Sequence, residues 1–259
     1  MSISTFSTFI YGHYITNDNY AINFNEGSGE LLASVAVGSY TVTDFASQVE
    51  LSLNSAGTFT YTVTYDRDTR KITIASVSGN FDLLITSGTQ SAVSTFALLG
   101  YTGADVTGAA TYTGDSDTGS EYQPQFKLQD YISSEDWRAA SLANVNKSAS
   151  GRVEVVKFGD EQFVQGNIKY ATDIAQPDAL VIKNNVTGVA NLRVFMRYIV
   201  NKRPIEFVAD LVTTATFEKV ILESSPDFKD GTGYKLKELY STGLPGYYET
   251  GPLVFRVVA

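Results

Sequence analysis

The chain has 259 residues, of which 43% are hydrophobic and only 18% charged, and this balance excludes an intrinsically disordered protein. It contains no cysteine, which excludes disulfide frameworks, thiolate metal sites and cysteine nucleophiles. The single histidine, His13, excludes multi-histidine zinc sites, and its Tyr, Ile and Asn neighbours favour a residue on a strand surface over a catalytic base.

The net charge of −9 is unevenly distributed. Residues 1–126 carry three basic and 12 acidic side chains, whereas residues 127–259 carry 16 of each sign. An acidic first half repels phosphate backbones, so we expect no direct nucleic-acid binding. The N-terminus lacks a basic and apolar leader pattern and no apolar run approaches 18 residues, so we expect synthesis in a cytoplasm and no membrane span.

The abundance of Tyr, Phe, Thr and Val favours β structure in the first half. Alternating apolar residues predict a hairpin over residues 20–37, with its turn at 26–29. The period then changes, because Phe45, Val49 and Leu53 recur at i, i+4 and i+8, which predicts a short amphipathic helix. Thr43 is its predicted N-cap and Gly57 its predicted end.

A second hairpin is predicted over residues 58–76, where Thr alternates with Phe, Tyr and Val and a charged turn follows Asp66. Residues 81–85 predict a strand, and residues 91–101 predict a second helical stretch with Phe96 and Leu99 on one face and Gly100 as its end. Residues 102–123 are rich in Gly, Thr, Asp and Ser and predict a loop. We therefore expect two domains, an acidic strand-helix-hairpin module at 1–122 and a β-rich assembly domain at 123–259.

The second half begins with a polar stretch, residues 126–151, for which no regular structure is predicted. Strands are predicted at 152–159, 162–174 and 178–184. The spacing of Leu192, Phe195, Met196 and Ile199 predicts a helix over 189–202, which Pro204 ends. Strands follow at 205–208, 217–223 and 253–258, so the predicted fold class is mainly β with a few short helices (α+β).

Several acidic residues were weighed as ligands or catalysts. Asp115, Asp117 and Glu121 alternate with glycines as in a calcium loop, but their spacing is not that of an EF-hand, and a solvated linker is favoured. Asp117-Thr-Gly119 is an aspartic-protease triplet without the required second copy. Glu135-Asp136-Trp137 suits sugar binding, although a packed surface tryptophan is favoured. We predict no catalytic, cofactor-binding or metal residues, no cofactor and no enzymatic activity.

A resemblance covers residues 20–115. The order GSYTVTDFASQVELSLNSAG, TFTYTVTYDRDTRKITIAS, FDLLITSG and STFALLGYTGADVTGAATYTGD resembles a strand-helix-hairpin module of tailed-bacteriophage virion proteins. The matching positions are Gly38, Tyr40, Leu53, Asn54, Leu83, Leu84, Gly88, Leu99, Gly100 and Asp105. The second half is similar only in general character to tail and baseplate β-sandwich domains.

The resemblance implies a structural virion component, such as a distal-tail-like baseplate protein, that forms a ring from copies of itself and contacts other tail or neck proteins. The alternatives are a carbohydrate-binding or glycan-depolymerising module on a virion, and a cytosolic β protein without an assigned role. Because residues 127–259 are neutral overall, copies can meet there without net repulsion. We therefore expect self-contact mainly through residues 127–259, with Arg193, Arg197, Lys202, Arg203 and Glu206 as the nearby charges.

Overall fold

The computed structural model describes residues 8–67, 69–118, 120–122, 131–147, 153–169, 171, 188–208, 217–224, 236–238 and 246–258. The chain divides into two compact units, one formed by residues 10–120 and the other by residues 1–9 together with 121–259. Sequence reasoning places the boundary after residue 122, and the structure places it after residue 120. It also assigns the first nine residues to the second unit, which sequence patterns did not indicate.

The unit of residues 10–120 contains one α-helix and three small sheets in its described part. Its elements are β2 (His13–Ile15), β3 (Ala21–Asn25), β4 (Glu30–Ser34), β5 (Gly38–Tyr40), α1 (Val42–Ala56), β6 (Tyr61–Asp66), β7 (Lys71–Ser76), β8 (Phe81–Leu83), a 3-10 turn (Ser91–Val93), β9 (Val106–Ala109) and β10 (Thr111–Thr113). The sheets have the orders β4-β3-β8-β9, β10-β7-β6 and β2-β5. Their neighbouring strands are antiparallel.

Helix α1 forms where the periodicity predicts it, with a different N-cap. The side chain of Thr41, not Thr43, accepts a hydrogen bond from the backbone N–H of Asp44, because Thr43 already lies within the first turn. Phe45, Val49 and Leu53 are fully buried on its inner face, and Gly57 ends it as predicted. The helix is therefore held by an apolar face with a polar cap at its start.

The hairpin predicted over residues 58–76 is present as β6 and β7. Tyr61 and Val63 of β6 and Ile72 and Ile74 of β7 are buried in the same core as the inner face of α1. Burial of such side chains contributes roughly 1.5–3 kcal/mol each. The charged turn that follows Asp66 lies at the far end of this hairpin, away from its packed face.

Two predictions for this unit were wrong. Residues 91–101 form a 3-10 turn and successive hydrogen-bonded turns instead of a helix, because Ser94 is extended, with ψ at 150°, and pairs with Ala21. Residues 102–123 are not simply a loop, since they contain β9 and β10, which pair with β8 and β7. Tyr112 anchors β10, because its hydroxyl donates to the carbonyl of Phe81 at 2.7 Å and accepts from the N–H of Ala109 at 2.8 Å.

The second unit is built on one seven-stranded sheet. Its described elements are β1 (Thr8–Tyr11), β11 (Ser120–Tyr122), β12 (Tyr131–Lys147), β13 (Val153–Lys169), α2 (Gly188–Ile199), β14 (Ile205–Val208), β15 (Glu218–Ser224), β16 (Lys237–Glu238), β17 (Tyr248–Glu249) and β18 (Pro252–Val257). The large sheet has the order β11-β1-β14-β15-β18-β13-β12, and β16 pairs with β17. Helix α2 begins and ends close to the predicted bounds.

Aromatic side chains fill the core of this second unit. The ring of Phe9 lies 4.9 Å from that of Phe195, 5.2 Å from that of Phe207 and 5.5 Å from that of Phe255, measured between centroids. These residues come from β1, α2, β14 and β18, and all four are buried. The described residues Thr8 and Phe9 belong with this unit because Phe9 completes its core.

The prediction that residues 126–151 lack regular structure was wrong for residues 131–147, which form the 17-residue strand β12. Most of its residues are small or polar, and its few large apolar residues do not alternate regularly, so its structure comes from pairing with β13, which is richer in β-branched residues. The strand predicted at 178–184 lies outside the described residues. The mainly β, α+β fold class is confirmed, whereas the β-sandwich expected for the second half stays a prediction.

Neither α1 nor α2, the two α-helices among the described residues, is long and apolar enough to cross a bilayer.

Candidate functional site

His13 lies on β2, where its ring packs 4.7 Å from the ring of Phe45. Its Nε2 atom is buried and has no hydrogen-bond partner. Burial lowers the pKa of His13 to about 4, because the charged imidazolium would lose its hydration. A catalytic histidine needs a partner that orients it and a pKa near the working pH. His13 is therefore a neutral packing residue of the α1 core.

The acidic loop that was considered for calcium is tied to the hairpin turn by its own side chains and backbone. The Asp117 carboxylate pairs with the guanidinium of Arg70. Lys71 Nζ donates to the carbonyl of Asp115 at 2.9 Å. Among the described residues no group of three His, Cys, Asp or Glu side chains is placed to hold a metal ion. The side chain of Glu121 is not among those described, so the loop is a packed connection as far as its described residues show.

Glu26 is the most heavily hydrogen-bonded carboxylate of the 10–120 unit. It accepts from the backbone N–H groups of Thr58 and Phe59 and from the hydroxyls of Thr58 and Tyr61, at 2.6–3.0 Å. Burial opposes its ionisation, but these hydrogen bonds outweigh burial and lower its pKa. Glu26 therefore clamps the start of the β6–β7 hairpin to the turn after β3.

Two further carboxylates act in the same way on neighbouring loops. Glu30 accepts from the backbone and hydroxyl of Thr89, both at 2.8 Å, and these bonds lower its pKa. Asp105 accepts from Thr86 and Ser87, which outweighs its burial and lowers its pKa to about 2. Each carboxylate accepts hydrogen bonds from loop backbone, so these acids stabilise the fold.

Several positions that carry the virion resemblance also have structural roles. The amide of Asn54 bonds both backbone groups of Tyr61, and Asp105 closes the loop after β8. A Cβ on Gly88 would lie 2.4 Å from the Cβ of Asn23, and one on Gly100 would lie 2.3 Å from the carbonyl oxygen of Ser116. The motif is therefore a signature of a fold and does not itself define a binding site.

The Glu135-Asp136-Trp137 trio lies on β12. In the register with β13, these three positions are opposite Gly166, Gln165 and Val164, in that order. The sugar-binding role stays a prediction with no further support.

The charges predicted near the interface divide into two groups. Arg193 and Arg197 are exposed on α2, beside the 51% exposed side chain of Val194. Lys202, by contrast, donates to the carbonyls of Leu222 and Glu223 at 2.6 and 2.9 Å, and Glu206 is fully buried. The guanidinium of Arg203 lies 5.3 Å from the ring of Tyr198. Arg193 and Arg197 are therefore the exposed basic residues of α2, whereas Lys202, although exposed, is bonded through its Nζ.

The element that sequence reasoning missed is the ribbon formed by β12 and β13. Strand β13 pairs with β18 only from Phe163 to Asn167. Beyond that point, nine further residue pairs join β12 to β13, from Ala139 opposite Gln162 to Lys147 opposite Val153. At about 3.3 Å per residue, this two-stranded ribbon extends about 30 Å past the sheet. Phe158 forms a bulge within it.

One strand of the ribbon, β12, is paired on one side only within the described part of the chain. Strand β12 is the last strand of the seven-stranded sheet, and no described strand pairs with its outer side. A two-stranded ribbon alone in water is marginally stable, because one pairing and little apolar cover barely offset the ordering of the backbone. We therefore regard the ribbon as the candidate interaction site of this protein.

Comparison of the sequence with protein-family models gives no match. Comparison with curated proteins gives none either. Functional inference for this chain consequently starts from its own residues and from the geometry of the ribbon.

Proposed function

We propose that the protein is a structural component of a tailed-bacteriophage virion, a tail or baseplate protein of distal-tail type that forms a ring by self-association. Its partners are copies of itself and other tail or neck proteins, and its location is the virion. The proposal begins from the module resemblance over residues 20–115 and extends to the second unit through the geometry described above.

The observation that carries the proposal is the β12–β13 ribbon. An isolated two-stranded extension of about 30 Å adds little stability to a monomer, because each of its strands is paired on one side only among the described strands. In an assembly the same extension contacts a neighbouring copy. Projecting elements of this kind suit a protein whose stable form is multimeric.

The charge distribution supports contact through the second unit. Residues 127–259 carry equal numbers of acidic and basic side chains, whereas residues 1–126 carry an excess of nine acidic groups. Copies that met through the first half would bring like charges together, which costs free energy at low salt. The exposed row of Arg193, Val194 and Arg197 on α2 adds a mixed apolar and basic surface to the neutral half.

Sedimentation of the purified full-length chain over a concentration series, followed by electron microscopy of the largest species, tests the proposal. We expect a discrete oligomer that appears as closed rings, and we expect antibodies against the chain to label intact phage particles. A chain that stays monomeric throughout the series and is missing from particles would overturn the proposal. A monomer that binds glycan would favour the carbohydrate-binding alternative.

A further inference from the structure

The outer strand of the ribbon has an unusual charge pattern for a sheet edge. Residues 139–146, with the sequence AASLANVN, contain no charged residue and no proline. Natural proteins usually protect a long edge strand with charges, proline or a covering element, because its unpaired backbone groups would otherwise pair with another chain. The uncharged stretch on β12 has none of these side-chain devices.

The same chain does protect an edge in its other unit. The outer side of β6 is occupied by side chains of α1: Asn54 Oδ1 accepts from the N–H of Tyr61 at 2.8 Å, and Asn54 Nδ2 donates to the carbonyl of Tyr61 at 3.0 Å. Glu50 accepts from the N–H of Val63 at 2.9 Å. On β12, by contrast, no described strand pairs with the outer side, since β12 is the last of the described strands in its sheet.

The charges at the two ends of β12 are of opposite sign. Glu135, Asp136 and Arg138 lie near its beginning, with a net charge of −1, and Lys147 lies at its end. The positions directly opposite Glu135 and Lys147 on β13 are Gly166 and Val153, which carry no charge. In an antiparallel pair of identical strands, the beginning of one strand lies beside the end of the other. Two copies of β12 are therefore complementary in charge.

We propose that β12 pairs antiparallel with β12 of a second copy of the chain, in the register that places Ser141 opposite Ser141 on a two-fold axis. This register places Glu135 opposite Lys147 at both ends. It also places Trp137 opposite Val145, an aromatic and β-branched combination that stabilises sheets. The seven-stranded sheet then continues across the axis into the second copy.

This contact is isologous and goes beyond the proposed ring, whose neighbours meet through heterologous surfaces. It does not depend on ring formation, because two copies suffice to make it. In a ring whose members all carry it, the contact joins that ring to a second one across the two-fold axis. The strand pairing and the ring can therefore be tested separately.

Disulfide trapping is the direct test, since the chain has no cysteine of its own. Opposite residues of an antiparallel pair have Cα atoms about 4.5–5.5 Å apart, within disulfide range. Under mild oxidation we expect the full-length Ser141→Cys variant to form a covalent dimer about tenfold faster than Val77→Cys, whose side chain is 77% exposed in the other unit. Equal rates for the two variants would overturn the proposal.

Charge reversal in the Ser141→Cys background tests the register. Glu135→Lys and Lys147→Glu each place like charges opposite each other at both ends of the pair, so each should slow trapping about tenfold. The double reversal restores opposite charges and should recover the original rate. Failure of the double variant to recover would contradict this register.

Two controls separate this inference from misfolding and from the proposed function. Each variant should keep the far-UV circular dichroism spectrum and melting temperature of the wild type, and Ser141→Asp at the axis should abolish the dimer while keeping both. If the wild type forms rings but the two cysteine variants are trapped at equal rates, the strand pairing is wrong and the proposed function is unaffected. If Ser141→Cys is trapped rapidly but the protein forms no ring, the strand pairing is supported and the proposed ring is wrong.

Discussion

His13 is expected to make the 10–120 unit sensitive to acid. Its pKa is about 4 in the folded chain, because burial against Phe45 disfavours the imidazolium, and about 6.5 when the chain is unfolded. Above pH 6.5 the histidine is neutral in both states and folding is unaffected. As the pH falls from 6.5 to 4, only the unfolded state gains a proton, so the free energy of unfolding decreases by roughly 1.4 kcal/mol per pH unit, about 3 kcal/mol in total.

Nuclear magnetic resonance measures this pKa directly, because the chain has one histidine and its ring signals need no assignment among others. We expect a titration midpoint of about 4. Denaturant unfolding of the wild type and of His13→Gln, compared at pH 7 and at pH 4.5, should show a stability loss in the wild type that the variant lacks. The lowered pKa values of Glu26 and Glu30 contribute with the same sign from about pH 4.5 downwards, and that of Asp105 from about pH 3.8, so the loss above pH 4.5 comes mainly from His13. A midpoint near 6.5, or equal losses in both proteins, would refute this reasoning.

Glu26→Gln should lower the free energy of unfolding by about 2 kcal/mol, because the hydrogen bonds that the carboxylate accepts lose their charge assistance. The control Asp18→Asn, in an exposed turn, should have little effect. Equal effects of the two variants in chemical denaturation would show that the change in net charge, and not the loss of these hydrogen bonds, lowers the stability. Gly100→Ala should lower the free energy of unfolding by more than about 2 kcal/mol, because its Cβ would meet the carbonyl oxygen of Ser116. Gly108 has a similar positive φ but open space around it, so Gly108→Ala should lower it by about 1 kcal/mol. Similar losses in the two variants would show that the positive φ alone determines the effect. Removal of divalent ions with EDTA should leave the melting temperature unchanged, because no bound metal is expected to stabilise the native state, and a decrease of several degrees would point to a bound metal.

Periodic apolar patterns predicted the first unit well where burial controls structure. Phe45, Val49 and Leu53 recur at helical spacing because one face of α1 is buried, and Tyr61 and Val63 alternate because one face of β6 is buried. The N-cap was misplaced by two residues, since both Thr41 and Thr43 have the side chain that a cap needs. The stretch at 91–101 has an apolar pattern, but Ser94 is extended and pairs with Ala21, which interrupts a helix.

The candidate site could not be predicted in the same way. Most residues of β12 are small or polar and the strand gains its structure from pairing with β13, so its sequence shows no regular apolar alternation. Its register, its length beyond β18 and its open edge depend on residues distant in sequence. The charge difference between the two halves was the only sequence signal that pointed to this half of the chain.

The central claim is that copies of the chain assemble through the second unit. The most direct measurement is an electron cryo-microscopy map of the assembled protein, from which the area buried between copies is assigned residue by residue. The account predicts more than about 1,000 Å² buried per contact, most of it from residues 127–259 and including the β12–β13 ribbon. An assembly whose buried area came mostly from residues 1–122, or whose ribbon stayed exposed to solvent, would contradict it.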